Sequence, residues 1–418
     1  MATPHMIRDA ILALGFTLTT ATQLRSSSAG VGPGEAFLVI WLTMTLASPG
    51  PRRGSVTGPA LSRMLVFWTV FALAEALGTL MGMAVDSHRD FGSFLHDTLA
   101  YLLMAAVSCL SVSEPNAEAR LRRVAWFVAT FGGVILTAQL ANAWGAVTIG
   151  SVDPWYWDRL RGWSENPNEL ALNAAVLCLV SLHLAETATH WVATITAAVC
   201  TALSFYVGIL TKSDAFLLVA MVGVVVFLLL KFRVWLFSFD RRLQFRSAVL
   251  WIAVLSLPLV LLAAAPFATS ATDKLAALTT STYKDDHAGE AAVRMDLWRE
   301  ALNLGVESGL LGLGPGPHIT RIAYKREPWP AFEAHNTSLD LLTQGGLLAV
   351  LSVIWLLGTS FVLTLKAQRA ALTTLVCGLA VFSTFHLIVR IPIFWFAITL
   401  CLVTAPVIRP PRAVRNQG

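Results

Sequence analysis

Apolar runs of about 20 residues, separated by short polar breaks, succeed one another along almost the whole chain, the pattern of helices that thread repeatedly through a bilayer. They fall at roughly 8–24, 35–48, 63–84, 97–112, 123–142, 168–186, 190–210, 214–230, 247–265, 337–364, 370–388 and 391–408. Of the 418 residues 56% are hydrophobic and only 13% charged, about half the charge of a soluble domain. A soluble fold is excluded. So is a soluble enzyme on a single anchor, because no long polar block exists to form it. The expected fold class is an all-α polytopic membrane protein, one integral membrane domain over 1–418, with about twelve transmembrane helices.

Charge placement sets the expected orientation, because cytoplasmic loops collect Lys and Arg. With the N-terminus inside, one side gathers Arg8, Arg52, Arg53, Arg63, Arg120, Arg122, Arg123, Lys231, Arg233, Arg241, Arg242, Arg246, Lys366, Arg369, Arg409, Arg412 and Arg415. The short loops opposite hold only Arg25, Arg89, Arg159, Arg161, Lys212 and Arg390. Both termini are therefore expected in the cytoplasm. The apolar stretch from Ala10 is taken as a first transmembrane helix, since no small-residue cleavage site follows it. All five cysteines lie in apolar runs, so no disulfide framework is implied. The net charge of +5 reflects orientation, and nucleic acid is not an expected partner.

One loop is long. Residues 266–336, on the non-cytoplasmic side, run to about 70 residues, and loops of that length usually carry function. Within it, 288–304 reads as an amphipathic helix: Val293, Leu297, Trp298, Ala301 and Leu304 recur at helical spacing, with Arg294, Asp296, Arg299 and Glu300 between them. Asp296 and Glu300 are a turn apart, the spacing of a solvated helix face as much as of a carboxylate pair. A turn-rich run of glycines, Gly309 to Gly316, follows, then basic Arg321, Lys325 and Arg326, and finally His335 and Asn336. Asp285, Asp286 and His287 are neighbours on a loop and read as solvated charges, so no metal is expected.

Cations at the non-cytoplasmic surface run against the insertion preference, and each needs a partner or a purpose. Arg161, Lys212, Arg294, Arg299, Arg321, Lys325, Arg326 and Arg390 all fall there. Two readings stand: lipid-headgroup anchoring, or docking of a polyanion, whose phosphate oxygens an Arg fork clamps bidentately. His335 has the same duality, as a headgroup ligand or as a base toward a hydroxyl. His318 shares it.

These residues resemble a known family. The run Arg294-Met-Asp-Leu-Trp-Arg-Glu-Ala, then Gly309-Leu-Leu-Gly-Leu-Gly-Pro-Gly316, then His335-Asn336 with Gly345-Gly346, is similar to the bacterial O-antigen ligase and O-antigen polymerase superfamily. Arg161-Gly162 and Asn166-Pro167-Asn168 resemble elements that open its sixth span. Order and spacing agree over about 120–390. The chain departs where many members carry Ser-Arg and it reads Thr211-Lys212-Ser213-Asp214, and again at Ala349.

The resemblance implies a large periplasmic loop with amphipathic helices. It implies transfer of a glycan from undecaprenyl pyrophosphate to a lipid A core or similar acceptor, with inversion and without metal or cofactor, at the periplasmic face of the inner membrane. It marks His335 and Arg294 as catalytic, and Arg161, Lys212, Asn168, Arg299, Asn336 and Arg390 as substrate-binding. A polymerase of the same superfamily is the alternative. A twelve-span transporter of lipid-linked or anionic solutes is a third reading. It requires ionisable residues at mid-membrane, of which Glu75 is the clearest and one of few.

Overall fold

The computed structural model describes residues 4–25, 31–47, 58–85, 91–113, 116–150, 152–238, 286–319 and 332–404. Its helices are α1 (Pro4–Leu18), α2 (Pro33–Ala47), α3 (Pro59–Ala84), α4 (Phe91–Ser113), α5 (Ala117–Ala143), α6 (Pro167–Thr187), α7 (Trp191–Leu210), α8 (Asp214–Ser238), α9 (Asp286–Glu307), α10 (Thr337–Gln344), α11 (Gly346–Lys366), α12 (Ala370–Ser383) and α13 (Pro392–Thr404). Seven of them, α3 to α8 and α11, are long and apolar enough to cross a membrane. The chain is a multi-pass membrane protein. The figure of twelve is thus met only in part: α2, α12 and α13 are shorter apolar helices, and 13–15 residues rise only about 20–23 Å against a hydrocarbon core of about 30 Å. The run at 247–265 lies outside the described residues, as do 266–285 and 320–331 of the long loop.

The shortest of these helices is the most enclosed. α13 packs against α1, α3, α4, α5, α6, α11 and α12, and Ile393, Phe394, Phe396, Ala397 and Ile398 have no exposed surface. A helix that is apolar all round belongs inside the bundle. Trp395 stacks at 4.4 Å from Trp68 and 5.2 Å from Phe67. Its indole N–H donates to the Val389 carbonyl at 2.7 Å, so the buried polar atom is satisfied.

One expected span is broken. The run over 337–364 forms two helices, α10 and α11, because the chain turns at Gly345 and Gly346. Gly346 has φ +65°, and a Cβ there would lie 2.0 Å from the Leu310 carbonyl oxygen. Only glycine fits. The glycine run runs alongside this break. Leu313 N–H donates to Thr343 O (2.7 Å), Gly314 N–H to Gln344 O (2.8 Å) and Leu347 N–H to Leu310 O (2.9 Å).

The amphipathic helix expected at 288–304 is α9. Leu297 and Ala301 are buried with Ile319 and Ala334, and Val293, Trp298, Leu304 and Leu339 pack on them. α9 thus joins α10 through its apolar face and leaves Arg294, Asp296 and Arg299 exposed.

At the opposite end of the bundle, charged groups pin the helices. Asp9, fully buried, accepts from Arg120 Nε (2.7 Å) and Arg123 Nε (3.1 Å), tying α1 to α5. The Arg120 guanidinium also covers the Trp41 ring at 5.4 Å. Lys231 pairs with Glu186, which also accepts from the Ala371 N–H at 3.0 Å. Removing one partner of a buried pair strands the other charge. Asp9→Ala is expected to destabilise the protein by about 3–5 kcal/mol, read as a lowered midpoint of thermal unfolding in detergent. An unchanged midpoint would show that the pair adds nothing to stability.

Candidate active site

Between α5 and α6 the chain makes a short hairpin, β1 (Trp155–Tyr156) and β2 (Arg159–Leu160), with Tyr156 opposite Arg159 and a turn at Trp157 and Asp158. Arg159 reaches across to the end of α7 and the start of α6. Its Nε donates to the Thr211 carbonyl at 3.0 Å and its Nη2 to Asn168 Oδ1 at 3.0 Å. Asn168 is in place because Asn166 caps α6, accepting from Asn168 N–H at 2.9 Å, with Pro167 in the first turn. Lys212, at φ +47° between α7 and α8, pairs with Asp158 at 2.5 Å.

α9 supplies the facing wall. The Trp298 indole donates to the Ala334 carbonyl at 3.0 Å, and Arg294, one turn earlier, is exposed. Arg159, Asn168, Lys212, Asp214, Arg294 and His386 together line a cavity of about 310 Å³.

The segment carrying His335 is held by backbone and capping bonds. Asp340 accepts from Ala334 N–H (2.6 Å) and Asn336 N–H (3.1 Å), on either side of His335, which sits at φ +53°. Asn336 Oδ1 caps α10, accepting from Ser338 and Leu339 N–H, while its Nδ2 donates to the Thr384 carbonyl at 3.0 Å. The Thr337 hydroxyl donates to the His386 carbonyl and accepts from Ile388 N–H. These bonds join 335–337 to the segment between α12 and α13. The His335 ring lies 6.3 Å from that of His386.

The surroundings lower the proton affinity of both imidazoles. His335 keeps exposed surface, yet desolvation by the segments packed around it lowers its pKa, as do Arg294 and Arg390, while Glu333 opposes them. Burial, His335, Arg294 and Arg159 push His386 down to about 3. A base that weak holds no proton near neutral pH. His335 is the imidazole of the two that is suited to accept one.

Of the residues expected at the site, Arg294, Lys212 and Asn168 line the cavity, and His335 adjoins it through His386. Arg161 turns away to Asp153 at 2.7 Å, and its guanidinium lies over the Tyr156 ring at 5.6 Å. Arg299 is exposed on the outer face of α9, 3.6 Å from Asp296. Asn336 spends its side chain on the α10 cap and Thr384. Arg390 is bound between Asp97 and Glu333. Arg321, Lys325 and Arg326 lie outside the described residues.

Pairing singles out two cations. Lys212, Arg161, Arg299 and Arg390 each have a carboxylate, whereas among the described residues no ion pair engages Arg159 or Arg294. These two face the same cavity. Sequence reasoning passed over Arg159 for Arg161, and passed over His386 because it fell within an expected span. A signal for Arg159 exists in the six-residue hairpin Trp155–Leu160, whose tight turn aims it back toward α6.

The residues that carry the facing wall are also those with a recognisable pedigree. No curated protein matches the chain. Residues 199–354, which include Lys212, Arg294 and His335, match the family described as O-Antigen ligase, and this match supports the O-antigen ligase and polymerase superfamily for the chain.

Proposed function

We propose that the chain is a membrane glycosyltransferase of the O-antigen ligase type, transferring a glycan from undecaprenyl pyrophosphate to a lipid A core hydroxyl at the periplasmic face of the inner membrane. The observation that carries this reading is the pair Arg159 and Arg294, both lining one cavity without an ion-pair partner among the described residues, with the His335 and His386 imidazoles beside them. A diphosphate offers such a pair its missing counter-charge. The loop 266–336, with both termini in the cytoplasm as the loop charges favour, then faces the periplasm.

In this reaction the acceptor oxygen attacks the anomeric carbon opposite the phosphate. The bond from that carbon to the phosphate oxygen breaks, its electron pair leaves with the pyrophosphate, and the configuration inverts. Arg159 and Arg294, with Lys212 beside them, stabilise the charge that develops on the leaving group. His335 takes the hydroxyl proton. Asn168 holds the Arg159 guanidinium in line with the cavity. Extending a chain rather than capping a core uses the same chemistry, so a polymerase differs only in acceptor.

Deleting the gene in its host and separating the lipopolysaccharide by electrophoresis distinguishes them. A core free of glycan is expected. A core bearing a single repeat indicates the polymerase instead, and an unaltered pattern refutes both. Arg294→Ala should cost about 10²–10³-fold in transfer rate and His335→Ala about 10²–10⁴-fold, with the protein still in the membrane; near-normal transfer by either variant removes that residue's role. Because its pKa is lowered, His335 stays in its base form to below its ordinary value of about 6.5. With donor well below its KM, where the titration of the free protein is read, transfer should therefore hold from neutral pH down past that value before it falls. A rate at low donor already halved at pH 7 would contradict His335 as the base.

A further inference from the structure

Asp97, near the start of α4, is 1% exposed in its side chain. Both its oxygens accept from Arg390 Nη1, at 2.7 and 2.9 Å, and its Oδ1 also meets His96 Nδ1 at 3.0 Å. The other arm of the Arg390 fork, Nη2, donates to Glu333 Oε1. Arg390 is thus bound at both ends of its fork. It has little left with which to clamp a phosphate.

Glu333 stands two residues before His335. Arg390 fixes residue 333, and Asp340 fixes the N–H groups of Ala334 and Asn336. His335 is bracketed, its left-handed backbone held on both sides. We propose that Asp97 and Arg390 are positioning residues that hold His335 through Glu333 and set the charge around its imidazole. The importance of that imidazole rests on the glycosyltransferase reading, in which His335 is the base.

The groups facing His335 can be named element by element. Glu333 comes from its own segment, Asp340 from α10, Arg294 from α9, and His386 and Arg390 from between α12 and α13. Behind Arg390 stand Asp97, His96 and Tyr101 on α4 and Glu75 on α3. Glu333 favours the imidazolium, whereas Arg390 and Arg294 disfavour it. Removing Glu333 and removing Arg390 therefore act in opposite directions.

A readout that needs no turnover tests this. Diethyl pyrocarbonate reacts with neutral imidazole, so its rate at His335, followed by mass spectrometry across pH on the full chain in detergent, reports that residue's titration. Relative to wild type, Glu333→Gln should lower the midpoint and Arg390→Met raise it, each by on the order of one pH unit, and the charge-keeping Arg390→Lys should stay near wild type. Coincident midpoints in all four proteins overturn the proposal.

Transfer is assayed with donor lipid extracted from cells lacking the gene and their own lipid A core as acceptor. Arg390→Met should lower kcat about tenfold or more, with donor KM nearly unchanged, in keeping with a displaced general base. A raised donor KM with an unmoved midpoint makes Arg390 a substrate ligand instead and overturns the proposal. Should wild type transfer nothing while the midpoints move as expected, the glycosyltransferase reading fails and the setting of charge at His335 by Glu333 and Arg390 stands.

Discussion

Three main-chain hydrogen bonds hold the site to the bundle. They run between the glycine run and the α10–α11 break, from Leu313 to Thr343, Gly314 to Gln344 and Leu347 to Leu310. A broken helix leaves carbonyls and N–H groups without intrahelical partners, and near lipid these must be satisfied by protein. The glycine run supplies the partners, and it can approach only because side chains are missing. A Cβ on Gly312 would lie 2.2 Å from the Gln344 carbonyl. α9 precedes this run directly, and α10 both follows His335 and packs on α9. The backbone contact thus fixes Arg294 and His335 relative to each other, although 40 residues of chain separate them.

The helices were legible because lipid permits little else. Each apolar run within the described residues is helical, and the α9 pattern at Leu297 and Ala301 marked its buried face correctly. What could not be read is where chains turn. Arg159 and Arg161 sit two residues apart in a basic hairpin, and composition cannot rank them. The difference arises because Arg161 and Gly162 N–H both bond to the Pro154 carbonyl, which swings the chain after Leu160 and sends Arg161 to Asp153. His386 was hidden by a boundary, since α12 ends at Ser383 rather than continuing to 388. Asp97 was hidden the same way, because α4 starts at Phe91 and carries it inward as a helix residue rather than at a span's edge. Partnering is invisible from one strand of text: nothing in the spacing of Glu333 and Arg390 says that they meet.

Scarcity of charge gives the pairing its meaning. In a low-dielectric surrounding an unpaired charge is costly, and several buried or half-buried charges among the described residues are paired: Asp9 with Arg120 and Arg123, Glu186 with Lys231, Asp97 and Glu333 with Arg390. Of the cations lining the cavity, half-buried Arg159 and exposed Arg294 have no such pair among the described residues. Arg159 is held by a carbonyl and an amide, which orient the guanidinium without neutralising it.

The same two arginines also act on the imidazoles. Arg294 lowers the proton affinity of both His335 and His386, and Arg159 that of His386. On the proposed reaction, a bound pyrophosphate offsets that field. The His335 imidazole is then least basic in the empty site, where a proton taken from water would block it. Its proton affinity rises once the donor is in place, when the acceptor hydroxyl must be deprotonated. On that proposal, the two arginines beside His335 couple donor binding to activation of the base through charge, while Asp340 and Arg390 hold the backbone around it.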